Sequence, residues 1–275
     1  MTPLGKHVRD LYQAVAREDL MTSLQDEKVL QDKARSDAKM IGDVAGLKIL
    51  EIGPGRGHLA KMLSGKGAHV DACDLVPDYL EQLAGDISGS TFTADIQALS
   101  ISEQYDLVIM CDVLEHVLRP ADALISARMA LKKGTGRLFV RSPGNESLIA
   151  YAQLLGCPHE MVHLRTYSRS DLRREARAAG FAAIRVRTIS SHREPRFTLL
   201  ASEKYWAYRR SSLQAGYTTE PRERASLQIQ VLEYILNSDS IGRPRAPFLF
   251  PIAKVLQPLV SKPGEIVLRA RRSQD

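Results

Sequence analysis

The chain has 275 residues, 44% of them apolar and 25% charged, with a formal net charge of +6. That length suits one large domain, or one domain with a substantial appendage, and the composition is that of an ordinary globular protein. No apolar run reaches the roughly 18 residues of a membrane-spanning helix, and Met1–Val15 lacks the continuous apolar core of a signal peptide.

Residues 1–45 are charged and helix-prone. Val8, Leu11, Tyr12 and Val15 share one helical face, and Asp26–Met40 carries few apolar residues and reads as an exposed helix. Next comes an apolar run, Leu47–Ile52, which stops at three closely spaced glycines, Gly53, Gly55 and Gly57, before a helical pattern from His58 to Leu63. This predicts a buried strand, a tight glycine turn and a helix. Glycine has no Cβ and accepts positive φ, so a ligand can approach the turn's backbone and the start of the helix. The spacing is G-x-G-x-G, one residue off the dinucleotide fingerprint G-x-G-x-x-G, which disfavours a nicotinamide oxidoreductase.

Ala68–Asp74 predicts a second strand ending in an acid, about 20 residues beyond the turn, where a carboxylate can accept both hydroxyls of a ribose. Asp95 follows a short third strand. Tyr105–Met110 predicts a fourth strand, followed by a helix starting near Asp112, and Ala121–Leu131 a further helix behind Pro120. Leu131–Val140 is a turn and a fifth strand, and Arg141–His163 a loop at that strand's carboxyl end, where open α/β sheets bind ligands. Ser168 is the N-cap of a charged helix ending at Gly180, and Phe181–Ile189 is the sixth strand. A long interruption with two helical stretches precedes a last strand around Glu265–Arg271. Alternating strands and helices imply a parallel sheet with right-handed crossovers.

In that order these elements resemble the class I S-adenosylmethionine-dependent methyltransferases, from Lys48 to about Ser190. The Leu114-Glu115-His116 element and the segment from His163 to Leu172 resemble the small-molecule branch that includes the ubiquinone-biosynthesis O-methyltransferases. The implied fold is a Rossmann-like three-layer α/β sandwich. Its seven-stranded sheet is mostly parallel with an antiparallel last strand. Residues 1–45 would be an N-terminal helical lid, 46–192 the cofactor-binding core, 193–263 a helical cap inserted before the last strand, and 264–275 that strand. An insertion of about 70 residues is too long to be an idle loop. The resemblance implies S-adenosylmethionine as cofactor. Glu51, Gly53, Gly55 and Gly57 would line its methionine part, Asp74 would hold the ribose hydroxyls, Leu75 would lie beside the adenine, and Asp95 and Ile96 would meet the adenine amino group and ring. Cys111 would sit near the sulfonium.

Methyl transfer requires donor carbon and acceptor atom in line, and a hydroxyl acceptor also needs a base or a metal. On a helix Asp112, Glu115 and His116 would share a face and form half a shell for a divalent cation, with His163 as a fourth ligand. The resembled O-methyltransferases and the small-RNA 2′-O-methyltransferases carry such a cluster. In the metal-free alternative, His116 and His163 serve the substrate pocket directly, His116 as its wall or base. Arg141, Arg165 and Tyr167 are candidate contacts for an anionic or aromatic acceptor, or else surface or paired residues. Tyr205, Trp206 and Tyr208 line a pocket or anchor the cap.

The positive charge is uneven. From Arg193 onward 14 Lys and Arg face 8 Asp and Glu, and the preceding residues balance. A basic cap suits an acceptor carrying phosphate or carboxylate, such as a nucleotide-linked or lipid-linked sugar, or simply a solvated surface. Phe248–Val260 suits burial against the core, a homodimer interface or the surface of a membrane. The three cysteines, Cys73, Cys111 and Cys157, are scattered and read as reduced thiols of a cytoplasmic protein. The expected activity is methyl transfer to a small-molecule or glycan-type acceptor, at oxygen. The alternatives are an RNA or protein methyltransferase and a non-catalytic scaffold. No tetrapeptide of the NPPY type follows the fourth strand and no RNA-binding module is appended, so no stable nucleic-acid partner is expected.

Overall fold

A computed structural model describes residues 27–144, 167–189 and 264–274, together with Gln13. The described elements are, in order, α1 (Glu27–Ile41), β1 (Lys48–Ile52), α2 (His58–Gly65), β2 (His69–Asp74), α3 (Pro77–Leu83), β3 (Thr91–Thr93), a 3-10 turn (Ile96–Ala98), β4 (Leu107–Cys111), α4 (Pro120–Ala130), β5 (Arg137–Gly144), α5 (Arg169–Ala178), β6 (Phe181–Ile189) and β7 (Gly264–Arg272). The chain divides into two units, residues 1–144, 161–189 and 265–275 in one, and residues 145–160 and 190–264 in the other. Every described residue except Gly264 belongs to the first.

The sheet has seven strands in the order β3-β2-β1-β4-β5-β7-β6. β1 pairs in parallel with β2 and β4, β2 with β3, and β4 with β5, whereas β7 runs antiparallel to β6. The strand order reverses between β1 and β4, which opens a crevice at their carboxyl ends.

Strand alternation builds two cores, one on each face. Leu50, Ile52, Val108, Met110, Leu138, Val140, Ile266 and Leu268 pack on one face with Leu124 and Ala127 of α4 and Leu172 and Ala176 of α5. Ile49, Val70, Ile109, Phe139 and Val267 face the other way, against Ala38 and Ile41 of α1, Leu59 and Leu63 of α2, and Leu80 and Leu83 of α3. The three layers, the seven strands and the antiparallel pair are as expected. The Ser168 N-cap is present with a full capping box: its hydroxyl accepts from Asp171 N at 3.1 Å, and Asp171 Oδ2 accepts from Ser168 N at 3.2 Å.

Three local expectations are corrected. Residues 112–119 form turns, and the helix starts only at Pro120. Asp112 has φ 54, a left-handed conformation that takes it out of any right-handed helical turn. α1 is not simply exposed, because Ala34, Asp37, Ala38 and Ile41 are buried. β5 extends through Gly144 rather than ending before Arg141. The cap insertion at 193–263, Phe248–Val260, Tyr205, Trp206, Tyr208, Arg165 and His163 lie outside the described residues.

Candidate active site

The carboxyl ends of β3, β2, β1 and β4 lie side by side, so the residues singled out in sequence converge on one edge of the sheet. The central turn holds Gly53, Gly55 and Gly57 at φ 66, 51 and 75. A Cβ on Gly53 would come within 2.6 Å of Val113 Cγ2, and one on Gly57 would strike Leu83, whereas Gly55 faces open space. Positive φ together with these close approaches favours glycine at 53 and 57, and the third leaves room beside the turn. Gly53 N donates to Cys73 O at 2.8 Å, which ties the turn to β2. α2 begins behind Gly57 with no side-chain cap, so its first backbone amides are left to a ligand or water.

Glu51 is 3% exposed. Its Oε2 has no hydrogen-bond partner among the described residues. Burial, reinforced by the charge of Asp37 and opposed by Arg141, pushes its carboxyl up to about 8. Asp74 ends β2, and its Oδ1 accepts from Val76 N at 2.9 Å. Burial pushes its carboxyl up to about 6 against the hydrogen bonds from Val76 and Leu75. Leu75 follows, half-buried. Asp95 caps the 3-10 turn, its Oδ1 accepting from Gln97 N at 2.9 Å and Gln97 Nε2 at 3.0 Å, and Ile96 is buried beneath it. Cys111 is a half-buried free thiol, raised well above its ordinary range by burial and then by Asp37.

The residues after β4 do not share a helical face. Asp112 Oδ2 accepts from Arg141 Nη2 at 2.7 Å and lies 3.5 Å from Lys33 Nζ. Glu115, 1% exposed, accepts from Ser142 Oγ at 2.9 Å, and its Oε1 lies 3.9 Å from His116 Nε2. Among the described residues no group of three His, Cys, Asp or Glu is placed to hold a metal ion. The helical half-shell read from the spacing is therefore not formed, because the chain turns at Asp112 and two of its acids take other partners. His163 falls outside the described residues.

Arg141 is not an acceptor contact. It is 5% exposed and surrounded by Asp112, Asp37 (Nε to Oδ2 3.4 Å) and Glu265 (Nη1 to Oε1 3.7 Å). Burial by itself would lower its pKa, but the surrounding acids hold it well above the usual value. Lys33 lies 3.6 Å from Glu265. This knot joins α1, the β4 turn, β5 and β7 beneath the cofactor end of the sheet. Asp37 gave no sequence signal, since an acid in a polar helix ordinarily faces water. Tyr167 is likewise internal, 1% exposed, with its hydroxyl donating to Leu114 O at 3.4 Å.

Comparison with known proteins agrees with this arrangement. A family model described as a methyltransferase domain matches residues 20–186. A ubiquinone biosynthesis O-methyltransferase of Xylella fastidiosa is 39% identical over 115 residues, covering 39% of this chain and 46% of that protein. The chain thus spans about half the length of the curated relatives it matches. Two solved structures share the fold. A methyltransferase from Haloferax volcanii, in complex with the Trm112 activator, superposes with a TM-score of 0.61 at 15% identity, covering 98% of both chains. The magnesium protoporphyrin IX methyltransferase of Synechocystis, with S-adenosylhomocysteine bound, gives 0.55 at 20% identity, covering 68% of this chain and 93% of that one. The family match spans more than half of the sequence, and the glycine turn, the acid closing β2 and the first five strands lie within it; the chain belongs to the methyltransferase-domain family and has the class I S-adenosylmethionine-dependent fold.

Proposed function

We propose that the protein transfers a methyl group from S-adenosylmethionine to a hydroxyl oxygen of a small-molecule acceptor. The observation that carries this reading is the glycine turn of Gly53, Gly55 and Gly57 standing beside Asp74 at the carboxyl ends of β1 and β2. Two of the glycines cannot take a Cβ without collision, and an acid stands at the end of the neighbouring strand. The residues fit the cofactor. The unpartnered Oε2 of Glu51 suits the ammonium of its amino-acid part, Asp74 suits the ribose hydroxyls, and Leu75, Asp95 and Ile96 suit the adenine. When bound, S-adenosylmethionine supplies an electrophilic methyl group on a sulfonium.

The chain must then hold the acceptor oxygen in line and accept its proton. His116 is the candidate base. Its imidazole is partly exposed, and the buried Glu115 carboxylate lies within ion-pair reach behind it. Ser142 on β5 fixes Glu115 by donating to it. A carboxylate so placed stabilises the imidazolium that forms when His116 takes the proton. The name of the Xylella relative supports oxygen as the acceptor atom. The basic surplus after Arg193 supports an acceptor bearing phosphate or carboxylate, including a glycan or lipid-linked intermediate. Among the described residues no helix is long and apolar enough to cross a membrane.

Calorimetric titration of S-adenosylhomocysteine into the protein tests the reading. Micromolar binding that Asp74→Ala weakens is expected, followed by turnover on hydroxylated acceptors. Absence of binding would overturn it and favour the non-catalytic scaffold.

A further inference from the structure

At the other end of the sheet lies a cavity of about 430 Å³ bounded by the first residues of β4 and β5 and by β6 and β7. It is lined by four arginines, Arg137, Arg185, Arg269 and Arg271, over an apolar floor that includes Ile41 and Phe139. Alternation explains the convergence. Phe139 and Val267 belong to the core on the α1 face, so Arg137, Arg269 and Arg271, two or four residues away along the same strands, fall on that face too. Arg185 stands directly opposite Arg269 across the antiparallel pair, a like-charge contact that opposes pairing. A bulge between Ala182 and Arg185 shapes the rim, with Ala183 held at φ 49.

Among the described residues no acid forms an ion pair with these four arginines. Arg269 donates to the backbone carbonyl of Met40 at 3.1 Å, and among the described residues it has no other hydrogen-bond partner. Asp106, the acid near Arg137, is already engaged with Lys132 at 2.8 Å and Lys48 N at 2.9 Å. An assembly of four guanidinium groups around a cavity is stable against its own repulsion when an anion neutralises it. Planar guanidinium forks match phosphate oxygens two at a time. The volume suits a small molecule.

We propose that this cavity is a binding site for an anion bearing one or more phosphoryl groups, with the apolar floor accepting the uncharged part of the ligand. It is separate from the cofactor turn: four residues of β4 place the two ends of the sheet about 13 Å apart. The phosphoryl group can belong to a soluble metabolite or to a lipid headgroup.

The test uses the full chain and the double variant Arg185→Gln/Arg271→Gln, which leaves the Arg269 hydrogen bond intact. Inorganic pyrophosphate is titrated by calorimetry, with sulfate at equal ionic strength as reference, and both proteins are sedimented with phosphatidylglycerol vesicles and with phosphatidylcholine vesicles. S-adenosylhomocysteine affinity serves as the check that the variant is folded. The expected result is pyrophosphate binding stronger than sulfate binding and weakened about tenfold or more in the variant. Retention on phosphatidylglycerol vesicles that the variant loses, without a pyrophosphate response, would assign the same site to a lipid phosphodiester. No response to either probe, or a response equal in both proteins, would overturn the proposal.

Discussion

Arg141→Met removes the cation of the buried knot and keeps most of its apolar stem. Asp37 and Glu265, 2% and 5% exposed, then face each other and Asp112, with Lys33 still beside them. Breaking a buried charge assembly by deleting one partner costs about 3–5 kcal/mol. For a chain of this size that lowers the melting temperature on the order of 10 °C. The loss depends on pH. Burial pushes the Asp37 carboxyl up to about 6, above its ordinary 3.8, so the folded state favours its protonated form. Its contribution is therefore fully present below about pH 4 and is lost as pH rises through 6. Without Arg141 the folded pKa rises further, and each additional unit removes about 1.4 kcal/mol at pH 8. The destabilisation should be about 2 kcal/mol smaller at pH 5 than at pH 8. Thermal melts followed by circular dichroism at both pH values measure it. A loss under about 1 kcal/mol at pH 8, or an equal loss at the two pH values, would refute the electrostatic account of the knot.

Further outcomes are expected. Asp74→Ala should weaken S-adenosylhomocysteine binding about tenfold to a hundredfold by calorimetry. In the native chain, affinity should fall as pH drops through about 6, where the Asp74 carboxyl gains a proton. Gly53→Ala, strained at φ 66 and 2.6 Å from Val113 Cγ2, should lower the melting temperature and abolish cofactor binding together. Glu51→Gln should stabilise the ligand-free protein at pH above 8, because the ionised carboxyl is lost there, while weakening cofactor binding. His116→Ala should reduce kcat by about 10²–10⁴ with a smaller change in KM, and chelation should leave turnover unchanged, since Asp112 and Glu115 are engaged with Arg141 and Ser142.

Much of the fold was legible because its signals are local. Apolar runs stopped by glycine marked β1 and its turn, and Ser168 with Asp171 marked the start of α5 to the residue. What failed was non-local or depended on backbone geometry. Aspartate tolerates left-handed φ better than most residues, so nothing in the spacing of Asp112, Glu115 and His116 separates a turn from a helix. α1 looked exposed because its buried stripe is built from alanines and an acid. That acid is held inside by Arg141, which reaches it from a distant stretch of chain, with Lys33 one turn back on the same helix. For Arg141 the sequence left an acceptor contact and a paired residue open, and the structure shows the paired one.

The charge knot also sets an order in time. α1 is among the first described elements to leave the ribosome, yet Glu265 and the Arg269 that grips Met40 O arrive with the last strand. At about 5–20 residues per second, the helix waits on the order of ten to fifty seconds for them. Through that interval Asp37 and Lys33 remain hydrated, and the α1 face of the sheet stays open to chaperones. Closure of this domain therefore waits for β7, which follows α1 after all the other described strands.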